Sequence, residues 1–310
     1  MPPASTAAES VRGLTDIERW EGPGTPLAVL GHPIAHSLSP AMHTAALAAE
    51  ARTSPRFADW QYVRFDVPPD DLGKALTLLH SRGFLGINLT LPHKVLATGL
   101  VAAIDPGAQR AGAVNTLLRQ EKGWTGFNTD GYGLTMALRE EFGLRLGGLP
   151  VVIIGAGGAA RGAALACIEA GCSALWIANR TKGRREELLA LLRPLAGSIP
   201  LHGFAPETPP PDLPVGALVI QATASGMKSG DVPPIELGAV SRPVAVYEMI
   251  YRPPRTPVLS RADALGVPWA NGLSMLVHQG ARSLEIWSGI PAERSAPLMA
   301  AAAKAASERY

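Results

Sequence analysis

VVIIGAGGAARG, residues 151–162, decides the fold class. The apolar run Val151 to Ile154 reads as a buried strand, and the glycines after it read as a turn into a helix. Gly155, Gly157 and Ala160 fall at the G-x-G-x-x-G/A spacing, which lets backbone approach a pyrophosphate while a helix N-terminus stabilises the negative charge. Ala156, Gly158 and Ala159 complete that candidate loop. A second strand, ALWIA at 174–178, follows at the distance of a βαβ unit. NAD sites end this strand in Asp or Glu to bond the ribose 2′-hydroxyl; here it ends in Asn179-Arg180-Thr181, with Arg184 and Arg185 just beyond. Guanidinium groups without a carboxylate favour a 2′-phosphate, so NADP is the expected cofactor over a merely solvated arginine cluster.

Strand and helix alternate on both sides of this unit. Before it come LAVLG from Leu27, a helix over 39–50, QYVRFDV, a helix over 70–80, FLGINLT and a helix over 92–98. Strands over 114–119 and 124–127 flank a Glu-Lys-Gly turn and read as a hairpin. After it come strands over 217–221 and 244–249, helices from Gly183 and Thr256, and closing helices over 274–287 and 292–308. The class is α/β, with largely parallel sheets.

A chain of 310 residues, 47% hydrophobic and 17% charged, is long enough for one or two real cores. Its net charge of +2 gives no case for nucleic acid or an anionic membrane as partner. With no spanning apolar run and no signal peptide pattern at the start, the expected compartment is the cytoplasm. Cys167 and Cys172 make neither a metal site nor a disulfide framework and read as small apolar residues. Residues 1–25, rich in Ala, Pro, Ser and Gly, read as a flexible extension.

GINLTLPHK, residues 86–94, carries the other chemical signal. Asn88 and Thr90 share one face of a strand end, Pro92 suits the first position of a helix, and Lys94 then sits in its first turn, where the macrodipole disfavours a cation. Only six of the 28 basic residues are lysines, and Leu89, Leu91, Val95 and Leu96 around this one are apolar, so Lys94 is set apart from an ordinary surface charge.

GHPIAHSLSP, GINLTLPHK, GAVNT, NTDG, GAGGAARG, NRTKGR, YEMIY and NGLSMLVHQGA, in this order, resemble the shikimate dehydrogenase family from about residue 27 to 290. The resemblance implies two α/β domains: a substrate-binding and catalytic domain over 26–128, completed by helices over 274–310, and a Rossmann-type NADP-binding domain over 129–273, with a cleft between them. It implies reduction of 3-dehydroshikimate to shikimate by NADPH. By the same resemblance Lys94 and Asp130 are the catalytic pair, and Ser37 and Ser39 hold the substrate carboxylate. Asn88, Thr90, Asn115, Tyr251 and Gln279 hold the carboxylate and ring hydroxyls. Gly155 to Ala159, Asn179, Arg180, Thr181, Arg184, Thr223, Met249 and Gly272 face the cofactor. Glu248 departs from the pattern, standing where aspartate is usual. The family includes monomers and homodimers.

Each of these residues also has a local reading. Ser39 before Pro40 is a helix-cap arrangement, Asp130 can cap the helix after it, Asn115 can bond the hairpin backbone, Gln279 can be an exposed helix residue and Tyr251 can pack at a rim. His32, His36, His43 and His93 read as structural, with no metal-ligand spacing. Quinate or a related cyclic polyol acid is the alternative substrate, and a noncatalytic NADP-sensing module the alternative of another class; a sensor needs neither Lys94 nor Asp130.

Overall fold

The computed structural model describes residues 11–308, so residues 1–10 of the expected extension lie outside it. From Val11 onward that extension is docked rather than free. Arg12 bridges to Phe65, helix α1 (Leu14–Glu18) buries Ile17 completely, and Trp20 packs on Phe65 and Phe84. Two apolar anchors in a stretch of small residues suffice to seat it, although they are too few to show a periodicity.

The chain builds two six-stranded sheets. The first holds β1 (Thr25–Gly31), β2 (Trp60–Asp66), β3 (Gly86–Leu89), β4 (Ala103–Ile104), β5 (Thr116–Gln120) and β6 (Gly123–Phe127) in the order β2-β1-β3-β5-β6-β4. Helical crossovers through α2 (Ser39–Ala51) and α3 (Leu72–Ser81) make β2, β1 and β3 parallel, whereas the tight turn between β5 and β6 makes an antiparallel hairpin. Strand β1 is buried on both faces. Leu27 and Val29 point toward α2 and the C-terminal helices α10 (Leu273–Ser288) and α11 (Ala292–Ser307), while Ala28 and Leu30 point toward α1 and α3.

The second sheet holds β7 (Pro150–Ile154), β8 (Ala174–Ala178), β9 (Leu201–Phe204), β10 (Leu218–Gln221), β11 (Ala245–Glu248) and β12 (Trp269–Ala270). Its order is β12-β11-β10-β7-β8-β9, every pair parallel, which is the doubly wound arrangement of dinucleotide-binding domains. Val151 and Ile153 face α6 (Asp130–Phe142), α7 (Gly158–Glu169) and α8 (Lys182–Leu192); Val152 and Ile154 face α9 (Pro257–Ala264). Cys167 and Cys172 are buried free thiols, and burial pushes both up, Cys172 to about 11, so neither is a thiolate at neutral pH. The short strands β4, β9 and β12 gave no periodic signal in the sequence, two to four residues being too few to show one.

The two ends of the chain are stitched by Trp287 of α10. Its indole donates to the Leu117 carbonyl of β5 at 2.9 Å and lies over Gly86, where a Cβ would collide with the ring. Gly86→Ala is therefore expected to lower stability by about 1–3 kcal/mol through overpacking. Chemical denaturation is the check, and an unchanged midpoint would mean that Trp287 is not seated there.

Candidate active site

Strand β3 ends at Leu89, and the chain turns through Thr90 into α4 (His93–Leu96), followed by a single 3-10 turn over Ala97–Gly99. This is shorter than the helix expected over 92–98. Four residues align few peptide dipoles, so the helix-terminus argument about Lys94 carries little weight. What holds the ammonium is Asp130, at the first position of α6: Nζ lies 2.8 and 2.7 Å from its two carboxylate oxygens. Asp130 is 1% exposed. The same Oδ1 also accepts from Asn115 Nδ2 at 2.9 Å, and the Asp130 amide donates to Asn128 Oδ1.

Behind this pair lies a closed set of buried polar groups. Asn115 Nδ2 donates toward Asp130, Thr129 and Gln279 Oε1, while its Oδ1 accepts from the Thr129 amide and Thr116. Ser283, one turn beyond Gln279 on α10, joins Asn88, Thr116 and the Gln279 carbonyl. Asn88 is turned into this interior: Oδ1 accepts from Tyr62 at 2.8 Å and Nδ2 has acceptors at 2.9 to 3.2 Å on Ser283, Thr116 and the Asn115 carbonyl. Sequence reading missed Tyr62, Thr116, Thr129 and Ser283. The available signals were Thr129 inside NTDG and the four-residue step from Gln279 to Ser283.

Of the two serines, Ser39 reaches this set, its side chain bonding the Tyr62 phenol. Ser39 opens α2 without a side-chain cap bond, with Leu38 at the N-cap, so the capping role does not apply to it. Its amide instead donates to Ser37 Oγ at 3.3 Å. Tyr251, on the loop after β11, reaches across to the Leu38 backbone, and burial raises its phenol. His43, stacked 4.1 Å from Tyr62 and wholly buried, is lowered to about 3 by that burial and stays neutral.

The second sheet brings its glycine loop to the same place. Gly155 has φ +124°, closed to other residues, and a Cβ there would stand 3.0 Å from the Ala222 carbonyl. A Cβ on Gly158 would lie 2.7 Å from Lys94 Cβ, and one on Gly162 would lie 2.9 Å from Asp130 Cβ. The N-terminal turns of α7 are thus pressed against the Lys94–Asp130 pair. Arg180 and Arg184 are exposed, with no ion pair among the described residues, and stand free for a phosphate. Arg185 is turned inward and donates to the Asn179 carbonyl, which removes it from that role. The Thr223 amide is held by Gln221, and Gly272 lies against the Met249 backbone. A strained glycine, a bare helix N-terminus and unpaired guanidiniums fit an NADP pyrophosphate and its 2′-phosphate.

A sequence profile of the shikimate dehydrogenase substrate binding domain matches residues 29–117, and one of the shikimate 5′-dehydrogenase C-terminal domain matches residues 272–303. The shikimate dehydrogenase (NADP(+)) of Citrifermentans bemidjiense is 40% identical over 270 residues, covering 86% of this chain and 90% of its own. The chain belongs to the shikimate dehydrogenase family. Among solved structures, the shikimate 5-dehydrogenase of Thermus thermophilus, in complex with NADP(H) and shikimate, is 37% identical with a TM-score of 0.74 and covers 91% of this chain and 99% of its own. The ligand-free 5-ketofructose reductase of a Gluconobacter strain shares the fold at 30% identity, TM-score 0.76, with the same coverage. The two-domain Rossmann-type architecture of shikimate dehydrogenases is therefore this chain's own.

Because Gly162 leaves no room beside Asp130, Gly162→Ala is expected to lower kcat about 10- to 100-fold by displacing the carboxylate. Steady-state kinetics with a thermal unfolding control checks this, and a wild-type kcat in a folded variant would contradict it.

Proposed function

We propose that this chain catalyses the reversible, NADPH-dependent reduction of 3-dehydroshikimate to shikimate, a CH–OH oxidoreductase reaction on the route to chorismate and aromatic amino acids. The observation that carries the reading is the Lys94–Asp130 ion pair, its carboxylate buried and its ammonium partly exposed, packed directly against the glycine loop of the second sheet. NADP(H), when bound, supplies the hydride in one direction and takes it up in the other. As negative charge grows on the substrate oxygen, the Lys94 ammonium stabilises it and delivers the proton; in the oxidation direction Lys94 receives that proton. Asp130 fixes the ammonium, and Asn115 fixes Asp130. Ser37 and Ser39 take the substrate carboxylate, with Thr90, Tyr251 and Gln279 around the ring. Asn88 acts from behind, its amide being engaged by protein groups. The paired serines suit a carboxylate-bearing substrate, which favours shikimate over the sugar ketone of the 5-ketofructose reductase relative. The buried free thiols fit a reducing cytoplasm.

Oxidation of shikimate, quinate and 5-ketofructose's reduced form, each with NADP and NAD, is the direct test. Turnover is expected with shikimate and NADP, falling about 10²- to 10⁴-fold in kcat for Lys94→Ala. NADP binding without turnover would point to a sensor or to a different substrate. Replacing Arg180 and Arg184 by alanine should raise KM for NADP and leave KM for NAD nearly unchanged, since only NADP carries the extra phosphate. Equal changes in both would put the phosphate site elsewhere.

A further inference from the structure

Glu248, the last residue of β11, is wholly buried and takes no part in the reaction described above. Its two oxygens have separate partners. The Thr256 hydroxyl donates to Oε2, and Gln221 Nε2 donates to Oε1 at 3.3 Å. Both partners are themselves structural joints. Thr256 caps α9, accepting from the Leu259 amide, and Gln221 holds the next turn by accepting from the Thr223 amide at 2.7 Å and donating to the Ser225 carbonyl at 2.9 Å. The Glu248–Thr256 bond closes a loop that contains Met249 and Tyr251, and the Glu248–Gln221 bond braces the turn that contains Thr223.

We propose that Glu248 is a positioning residue whose buried carboxylate ties together the two loops lining the cofactor site, so that the grip on NADP follows the charge of this one group. The inference rests on the NADP site assigned above. Both hydrogen bonds present donors to Glu248, an arrangement made for the ionised form; a protonated carboxyl must turn its own O–H toward Thr256 and reverse that bond. Burial acts in the opposite direction and pushes the carboxyl up to about 7, with the bonds from Thr256 and Gln221 opposing the rise. Of the charged side chains on the two loops, Asp231 is held by the amides of Gly226 and Lys228 and Arg255 pairs with Asp263 of α9, while the Glu248 carboxylate is met by the donors on Thr256 and Gln221.

The sign follows from the raised value. A carboxyl whose folded-state pKa lies above its unfolded one contributes stability that is complete below about pH 4.5 and is lost as pH rises through about 7. Over the same upper range the ionised group tightens the loops. Wild type is therefore expected to gain NADP affinity relative to Glu248→Gln between pH 6 and pH 8, while its Tm falls relative to the variant over that interval.

The test measures the dissociation constant for NADP by calorimetry at pH 6, 7 and 8, for wild type, Glu248→Gln, Thr256→Val and Thr256→Ser. An inflection near pH 7 in wild type that is absent from Glu248→Gln supports the tie. So does an affinity about 5- to 10-fold weaker in Thr256→Val that Thr256→Ser restores. Parallel pH profiles for wild type and Glu248→Gln overturn it. Should Glu248→Gln fail to fold, the threonine pair decides: a Thr256→Val protein altered in Tm alone, with NADP affinity and its inflection unchanged, reduces the cluster to a scaffold. Because NADP binding is read without turnover, a wrong substrate assignment would show in the activity assays and leave this comparison intact.

Discussion

A buried ion pair is stable only where further hydrogen bonds satisfy what the pair leaves over. Asp130 is 1% exposed, so its two oxygens must be filled by the protein, and they are: Lys94 takes both and Asn115 adds a third donor. Much of the architecture follows from meeting that demand. Lys94 comes from α4, just past β3, Asp130 from the start of α6, and Asn115 from the approach to β5, so the first sheet and the first helix beyond it must meet at one point. Removing the Lys94 ammonium would leave the Asp130 carboxylate without its main partner in a nearly dry position.

The polar set behind the pair extends the same logic. Asn88, Asn115, Thr116, Thr129 and Ser283 are all buried, and each donor among them has an acceptor. A partly satisfied network would cost more than an apolar core; a fully satisfied one fixes a single geometry. Ser283 and Gln279 belong to α10, far along the chain from β3. The C-terminal helices therefore close the polar set behind Lys94 and Asp130 as well as the core beneath β1, where Val277, Ala281 and Leu284 pack with Leu27 and Val29.

What the sequence made legible was local. Val151 to Ala160 revealed a strand, a turn and a helix because each is encoded within a dozen residues, and the arginines at 180 and 184 stood out by occupying the place where a carboxylate is expected. What it concealed was pairwise. The alternation of Asn88 with Ile87 and Leu89 gives its face on the strand but not its partners, and only the fold shows that Tyr62 and Ser283 consume its amide. Arg184 and Arg185 look equivalent in sequence; one helical step of about 100° leaves the first in solvent and turns the second onto the Asn179 carbonyl. Helix α4 falls short of its expected length because Pro92 and a leucine-rich flank resemble a longer helix start, while Val114 in fact bonds the Lys94 carbonyl and draws that backbone toward the sheet.

The parallel strands of both sheets present their carboxyl ends to one seam, which the antiparallel β5 reaches with its amino end. Lys94 after β3 meets Gly158 after β7, and Tyr251 after β11 meets Leu38 after β1. The loops at such ends carry polar groups at little cost to the cores, which accounts for the concentration of candidate residues there. Contact at this seam is close. Gly158 stands against the stem of Lys94 and Gly162 against Asp130, so a side chain at either glycine would push the first turns of α7 away from the ion pair.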